Sequence, residues 1–256
     1  YHRRQRQMCI RDRPKIFVKN KFSDEEEEIK FSGEKVIDPG ISFVQKDRNT
    51  DLIYLNYSSP KTQSRTYLYN LKTKERKLVK EQEIPSGHNP NDYIVERLEC
   101  SSHDGRKVPI TITRHKKTKI DGSANVLLYG YGSYGNSITP SFSSTKFSLI
   151  DRDIIWVTAH IRGGLERGMK WWKEGKLLQK KNTFEDYIAV GEFLISQNYT
   201  SKKKIIGFGG SAGGLLMGAV VHQKPELFLA IIMAVPFVDS LTTNLDHSLP
   251  FIQSTR

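Results

Sequence analysis

Residues 204–214 read KIIGFGGSAGG. A short apolar run, residues 204–208, leads into Gly209-Gly210-Ser211-Ala212-Gly213, and residues 212–223 (AGGLLMGAVVHQ) continue with helix-forming composition. The Gly-x-Ser-x-Gly spacing alone is a weak signal. Placed after a buried strand and before a helix, it predicts a nucleophile elbow. The reason is steric: a serine on so tight a strand-to-helix turn leaves almost no space for side chains two positions away, and Gly209 and Gly213 supply that space. A helix starting at Ala212 aims its first amides at any negative charge developing beside Ser211, which makes the Ala212 N–H a candidate oxyanion donor. The rival, a phosphate-cradling loop, lacks the lysine of a P-loop and the Gly-x-Gly-x-x-Gly fingerprint.

The flanking sequence repeats this alternation. Residues 125–129 (NVLLY), 154–159 (IIWVTA) and 229–235 (LAIIMAV) are short and nearly all apolar, as parallel strands buried on both faces are. Between them, residues 183–197 (TFEDYIAVGEFLISQ) carry Tyr187, Ile188, Val190, Phe193 and Leu194 at helical spacing. Thr183 stands where an N-cap is expected, with Asp186 three residues on. Strands alternating with helices predict a parallel sheet, hence an α/β fold.

Two further loops follow apolar strands, where open α/β sheets place their ligand sites. Residues 129–135 (YGYGSYG) put Tyr131 and Tyr134 among glycines; a tyrosine hydroxyl there could give a second oxyanion hydrogen bond, and packing tyrosines in a turn are the alternative. Residues 160–168 (HIRGGLERG) contain Gly163-Gly164, which suggests close backbone packing. His160 precedes the serine, whereas this architecture orders serine, carboxylate, histidine, so His160 reads as structural. After Ser211 only His222 and His247 remain. His222 lies on the helix leaving the elbow and is expected to point away. His247 adjoins Asp246 near the last residue. The chain is therefore expected to stop before a triad is complete.

Upstream the pattern is β. Residues 51–57 (DLIYLNY), 65–70 (RTYLYN) and 76–80 (RKLVK) are short strands separated by turn residues, as in hairpins of a sandwich or propeller. Residues 24–28 (DEEEE) read as a solvated loop without the ligand spacing of a calcium site. Residues 84–92 (IPSGHNPND) read as a linker, and residues 93–100 and 107–114 as a hairpin turning at Asp104-Gly105.

Composition excludes several classes. The chain has 256 residues, 37% hydrophobic and 10% aromatic, which is enough for a core. No apolar run approaches the roughly 18 residues of a membrane span, and no signal peptide is recognisable. Cys9 and Cys100 are too few for a disulfide scaffold. The net charge is +12. Residues 1–13 (YHRRQRQMCIRDR) hold five Arg and one Asp, leaving +8 spread over the rest. That opening segment has no apolar periodicity and resembles a translated adapter read-through, so it is set aside as foreign. No nucleic-acid motif is present, and nucleic acid and membrane are not expected partners. A cytoplasmic protein is the expectation.

Taken together, Tyr131-Gly132, Arg162-Gly163-Gly164, residues 180–187 (KKNTFEDY), Gly209 through Gly214, residues 225–228 (PELF) and residues 235–239 (VPFVD) resemble the prolyl oligopeptidase family of serine peptidases. Ala212 after the serine and Val235-Pro236-Phe237 favour its oligopeptidase B branch. The resemblance implies a seven-bladed β-propeller capping an α/β-hydrolase domain. Residues 14–86 would be the last part of the propeller, and residues 87–256 the first part of the catalytic domain, truncated before the catalytic Asp and His. It implies Ser211 as nucleophile, Tyr131 with the Ala212 amide as oxyanion hole, and Tyr134 lining the substrate pocket. No metal or other cofactor is implied. Short peptides would be cleaved after Arg or Lys, although residues 251–256 (FIQSTR) supply no acidic pocket residue, and this piece alone would be inactive. Two other readings stay open: an esterase or acylaminoacyl-type peptidase, and a non-catalytic interaction protein on the same fold.

Overall fold

The computed structural model describes residues 14–19, 23–31, 33–34, 36–43, 50–246 and 248. Two small antiparallel sheets come first. Strands β1 (Ile16–Lys19) and β2 (Glu26–Ile29) pair with each other, and β3 (Asp38–Phe43), β4 (Leu52–Ser58), β5 (Arg65–Asn70) and β6 (Arg76–Glu81) form a meander. Their shared core is Ile16, Ile29, Ile53, Leu55 and Tyr69. In β4 buried and half-buried residues alternate, as expected of a sheet with one covered face. The fully exposed β6 carries Arg76, Lys77, Lys80 and Glu81, charges that protect a sheet edge.

The acidic run corrects one expectation. Glu26, Glu27 and Glu28 form a strand, not a loop, because Ile29 beside them is buried and lysines neutralise the carboxylates. Lys15 reaches Glu28 at 3.1 Å, Lys19 reaches Asp24 at 2.7 Å, and Lys74 pairs with Glu27.

The rest of the chain builds one mixed sheet. Its strands are β7 (Tyr93–Ser101), β8 (Lys107–His115), β9 (Val126–Tyr129), β10 (Ile155–Ala159), β11 (Ile205–Gly210) and β12 (Phe228–Ala234). Their spatial order is β12-β11-β9-β10-β8-β7. The four from β12 to β10 are parallel, and β8 and β7 are antiparallel additions. Helices α1 (Ser144–Ile150), α2 (Met169–Lys173), α3 (Lys181–Ser196), α4 (Ala212–Gln223) and α5 (Ser240–Leu245) connect or follow them. This is the opening part of an α/β-hydrolase sheet. Strand β9 has β10 on one side and β11 on the other, so the connection from β9 to β10 and the one from β10 back across to β11 run in opposite directions. That switch point opens a crevice at the carboxyl ends of β9 and β11.

The two faces have different cores. Val157, Val126, Leu128 and Ile110 pack with Tyr187, Val190 and Leu194 of α3 and Leu216, Met217 and Val220 of α4. The neighbouring residue Trp156 faces the other way, toward Phe147 and Ile150 of α1. Strand β12 departs from the expected burial on both faces: Leu229, Ile232 and Met233 are exposed, because it is the sheet's edge among the described residues. No helix among those residues is long and apolar enough to cross a membrane.

A second correction concerns α3. Thr183 is not its N-cap; the helix begins two residues earlier, and Asp186 is not a capping partner but a fully buried anion. One Asp186 oxygen accepts from Ser102 Oγ (2.5 Å) and Arg162 Nη2 (2.6 Å). The other accepts from the Arg162 backbone N–H (3.0 Å) and Nε (2.9 Å). Asp104 binds the outer side of the same guanidinium at 2.5 Å. Burial works against the Arg162 charge, yet the hydrogen bonds of Asp186 and Asp104 outweigh it and hold the guanidinium protonated. The buried Cys100 thiol lies in the same region; burial, aided by the Asp186 charge, pushes it up to about 12.

Removing one partner of a buried, saturated ion pair strands the other. Asp186→Ala is expected to destabilise the fold by about 3–5 kcal/mol, measured by chemical denaturation. Asp92→Ala, which breaks an exposed pair with Lys116, should change stability far less.

Candidate active site

Strand β11 ends in Gly210, and Ser211 turns the chain into α4 with φ 54° and ψ −119°. That is left-handed territory, which a residue with a side chain enters only when its surroundings enforce it. Here the enforcement is visible. Ser211 N–H donates to Ala234 O of β12 at 2.9 Å. Its carbonyl accepts from Gly214 N–H at 2.8 Å and Phe237 N–H at 2.9 Å. A Cβ on Gly209 would overlap the Gly213 carbonyl, with its carbon at 2.7 Å. A Cβ on Gly214 would run into Pro236. The β11 and β12 ends and the start of α4 thus lie backbone to backbone, and the Ser211 side chain is left exposed above them. Ala212, first residue of α4, has no preceding helical carbonyl to receive its N–H.

The loop after β9 meets this turn. Gly130 N–H donates to Phe208 O of β11 at 3.1 Å, and a Cβ on Gly213 would lie 3.0 Å from Gly130 O and 3.5 Å from Tyr131 Cδ2. Tyr131 therefore stands directly beside the start of α4. It is half-buried, and its hydroxyl makes no hydrogen bond to another described residue. Tyr134 is 68% exposed, with φ 56° and its ring centroid 6.4 Å from that of Tyr131. Ser211, Ala212 and Tyr131 are thus brought together at the carboxyl ends of β9 and β11, and the Tyr134 ring neighbours that of Tyr131.

What supports the loop escaped the sequence reading. Gly130 packs against the Tyr187 ring, where a Cβ would come within 2.8 Å, and Tyr187 OH donates to Leu128 O at 2.6 Å. Gly132, at φ +65°, lies against Thr183, Arg162 O and Ile161. Thr183 Oγ1 donates to Arg162 O at 2.9 Å. Gly163 is pressed onto Gly132 O so closely that no side chain fits. Lys180 Nζ donates to Gly132 O at 2.5 Å and to Ser133 Oγ at 2.8 Å. Of these residues, the sequence marks Gly163-Gly164 as close packing, Thr183 as a cap and Tyr187 as an apolar helix position, and none of them as a support of the tyrosine loop.

The histidines divide as follows. His160 is buried, with Nε2 2.9 Å from Thr111 Oγ1 and Nδ1 3.8 Å from Glu166. His222 sits exposed in the last turn of α4. His247 lies outside the described residues, as do residues 249–256 and 1–13.

Two expectations follow from this geometry. Glycine adopts the Ser211 backbone conformation without strain, so Ser211→Gly should raise stability by about 0.5–1 kcal/mol, read from a thermal melt. Burial pushes the Lys180 ammonium down to about 8, against about 10.4 for an unfolded lysine. Between those values the unfolded chain holds a proton that the folded one has lost. Stability should therefore rise from about pH 8 to about pH 10 through this group, by up to about 1.4 kcal/mol per unit. Denaturation curves across that range should show the rise flattened in Lys180→Met.

Comparison with known proteins agrees with this architecture. Residues 140–255 match the model of the prolyl oligopeptidase family. Dipeptidyl aminopeptidase BI of Pseudoxanthomonas mexicana is 44% identical over 205 residues, which are 80% of this chain and 28% of that protein. Protease 2 of Moraxella lacunata is 40% identical over 206 residues, 80% of this chain and 30% of the relative. Among solved structures, oligopeptidase B from Trypanosoma brucei with covalently bound antipain superposes with a TM-score of 0.84 at 36% identity, covering 93% of this chain and 34% of that one. Oligopeptidase B from Leishmania major gives 0.81 at 34% identity, with 93% and 34% covered. The chain spans 28–30% of the length of these two curated relatives. With its elbow, its tyrosine loop and the sheet that carries them, the chain belongs to the prolyl oligopeptidase family.

Proposed function

We propose that the protein carrying this chain is a serine peptidase of short peptides, with Ser211 as nucleophile. The observation that carries this reading is that two loops meet: the turn that leaves the Ser211 side chain exposed at the start of α4, and the Tyr131 loop, whose ring lies beside Gly213. In the reaction Ser211 Oγ bonds to the scissile carbonyl carbon and gives its proton to a base. The carbonyl oxygen takes the negative charge and is held by the Ala212 N–H and Tyr131 OH. Collapse expels the amine, protonated by that base, and leaves an acyl-enzyme that water hydrolyses. The antipain covalently bound in the trypanosomal oligopeptidase B supports a covalent route.

The base and its carboxylate are assigned to the part of the protein that the relatives carry beyond the matched region. His160 is engaged in the core and His222 is remote from the turn, so this piece alone is proposed to be inactive. The β3–β6 sheet is proposed to be a propeller blade, with β1 and β2 belonging to a neighbouring one. The likeness to oligopeptidase B supports cleavage after Arg or Lys. The likeness to dipeptidyl aminopeptidase BI favours a second reading, release of dipeptides from the N-terminus. A cytoplasmic location is proposed with the first reading.

The test uses the full-length protein. Ser211→Ala should abolish turnover of a blocked Arg-containing peptide. Tyr131→Phe should lower kcat by about 10²–10³-fold, the cost of one oxyanion donor, with KM changed only a few-fold, because the hydrogen bond strengthens as charge develops. Tyr134→Ala should act mainly on KM. A kcat within about threefold of wild type for Tyr131→Phe removes that residue from the oxyanion hole. Preference for a free N-terminus over the blocked peptide selects the second reading.

A further inference from the structure

Lys180 stands where elementary electrostatics disfavours a cation. It is the N-cap of the 16-residue α3, whose aligned amides already make that end positive, and no acidic residue occupies the first turn. Its ammonium is largely withdrawn from water, and it forms no ion pair with a carboxylate of the described residues. A lysine with no other task would be a poor choice there.

What it touches is informative. Its ammonium donates to Gly132 O and Ser133 Oγ, on the residues that follow Tyr131. Its Nζ also lies over the Phe184 ring, 6.0 Å from the centroid. Gly132, at φ +65°, is packed so that a Cβ on it would meet Thr183 and come within 2.9 Å of Arg162 O and Ile161 Cδ1, and its carbonyl lies against Gly163. The ammonium holds the carbonyl in that packed position. Among the described residues none hydrogen-bonds the Tyr131 hydroxyl, so the aim of the ring is inherited from the backbone on either side. Gly130 fixes one side through Phe208 O and the Tyr187 ring, and Lys180 fixes the other.

We propose that Lys180 is a positioning residue, which clamps the Gly132 carbonyl and the Ser133 hydroxyl and so sets the Tyr131 hydroxyl in place for the oxyanion formed at Ser211. This rests on the proposed role of Tyr131. A displacement of about 1 Å in a group that stabilises a transition state costs on the order of 10²-fold in rate while leaving ground-state binding nearly untouched.

The test is a double-mutant cycle in the full-length protein, read as kcat and KM on one short peptide. Lys180→Met should lower kcat about 10- to 100-fold with KM changed only a few-fold. Lys180→Arg, which keeps charge and donors, should recover kcat to within about fivefold of wild type. In the Tyr131→Phe background, where no hydroxyl is left to aim, Lys180→Met should cost less than about threefold more. Where Lys180→Met does not accumulate as folded protein, Ser133→Ala removes one acceptor and should cost about three- to tenfold in kcat, a loss again absent in Tyr131→Phe. Losses that multiply across the cycle, or an unchanged kcat in Lys180→Met and Ser133→Ala beside a strongly impaired Tyr131→Phe, overturn the clamp. An unimpaired Tyr131→Phe overturns the reading of Tyr131 itself, and the clamp with it.

Discussion

The buried pair of Arg162 and Asp186 is the interaction on which the rest of this domain depends. It joins three segments far apart in sequence: the turn of the β7–β8 hairpin through Ser102 and Asp104, the loop after β10 through Arg162, and α3 through Asp186. Both carboxylate oxygens are saturated, which offsets the cost of taking two charges out of water. A less complete arrangement would leave an unmatched charge in the core. The pair therefore imposes one relative placement of hairpin, loop and helix, and the site is built on that placement.

From there the architecture is a stack of backbones with little between them. Arg162 sets Gly163 against Gly132, Gly130 rests on Tyr187, and Gly209 meets Gly213. Each glycine removes a Cβ that would force two strands or loops apart, so the Tyr131 loop and the Ser211 turn come within van der Waals reach. The N-cap Lys180 and residues 183, 186 and 187 of α3 meet this stack at helical spacing, each touching a different part of it. The face of α3 that supports the loop is thus set by the same period that gives it a core-facing stripe.

Much of this was legible beforehand. The short apolar runs are strands, buried in β9 and β10 though not at the edge strand β12, and Gly209, Ser211 and Gly213 carry their meaning in their spacing, since the steric demand of the elbow is local. The failures have a common cause. Thr183 and Asp186 satisfy a local capping rule, yet a partner 24 residues away, Arg162, outcompetes it. Lys180 and Lys181 look alike as neighbouring lysines of a solvated surface, and only the tertiary position of Gly132 separates them. The acidic run at Glu26 read as a loop because its counter-ions Lys15 and Lys74 lie 13 and 47 residues from the carboxylates they meet. In each case the deciding partner is distant in sequence, where periodicity and turn chemistry carry no information.

Cys100 turns the same core into its own reporter. Thiol reagents attack through the thiolate, and here burial and the nearby Asp186 carboxylate keep that form out of reach at neutral pH. The sulfur is shielded for as long as β7 stays in the sheet. Its labelling then counts excursions in which β7 comes away, a clock for local opening placed by the fold beside the ion pair whose integrity it measures.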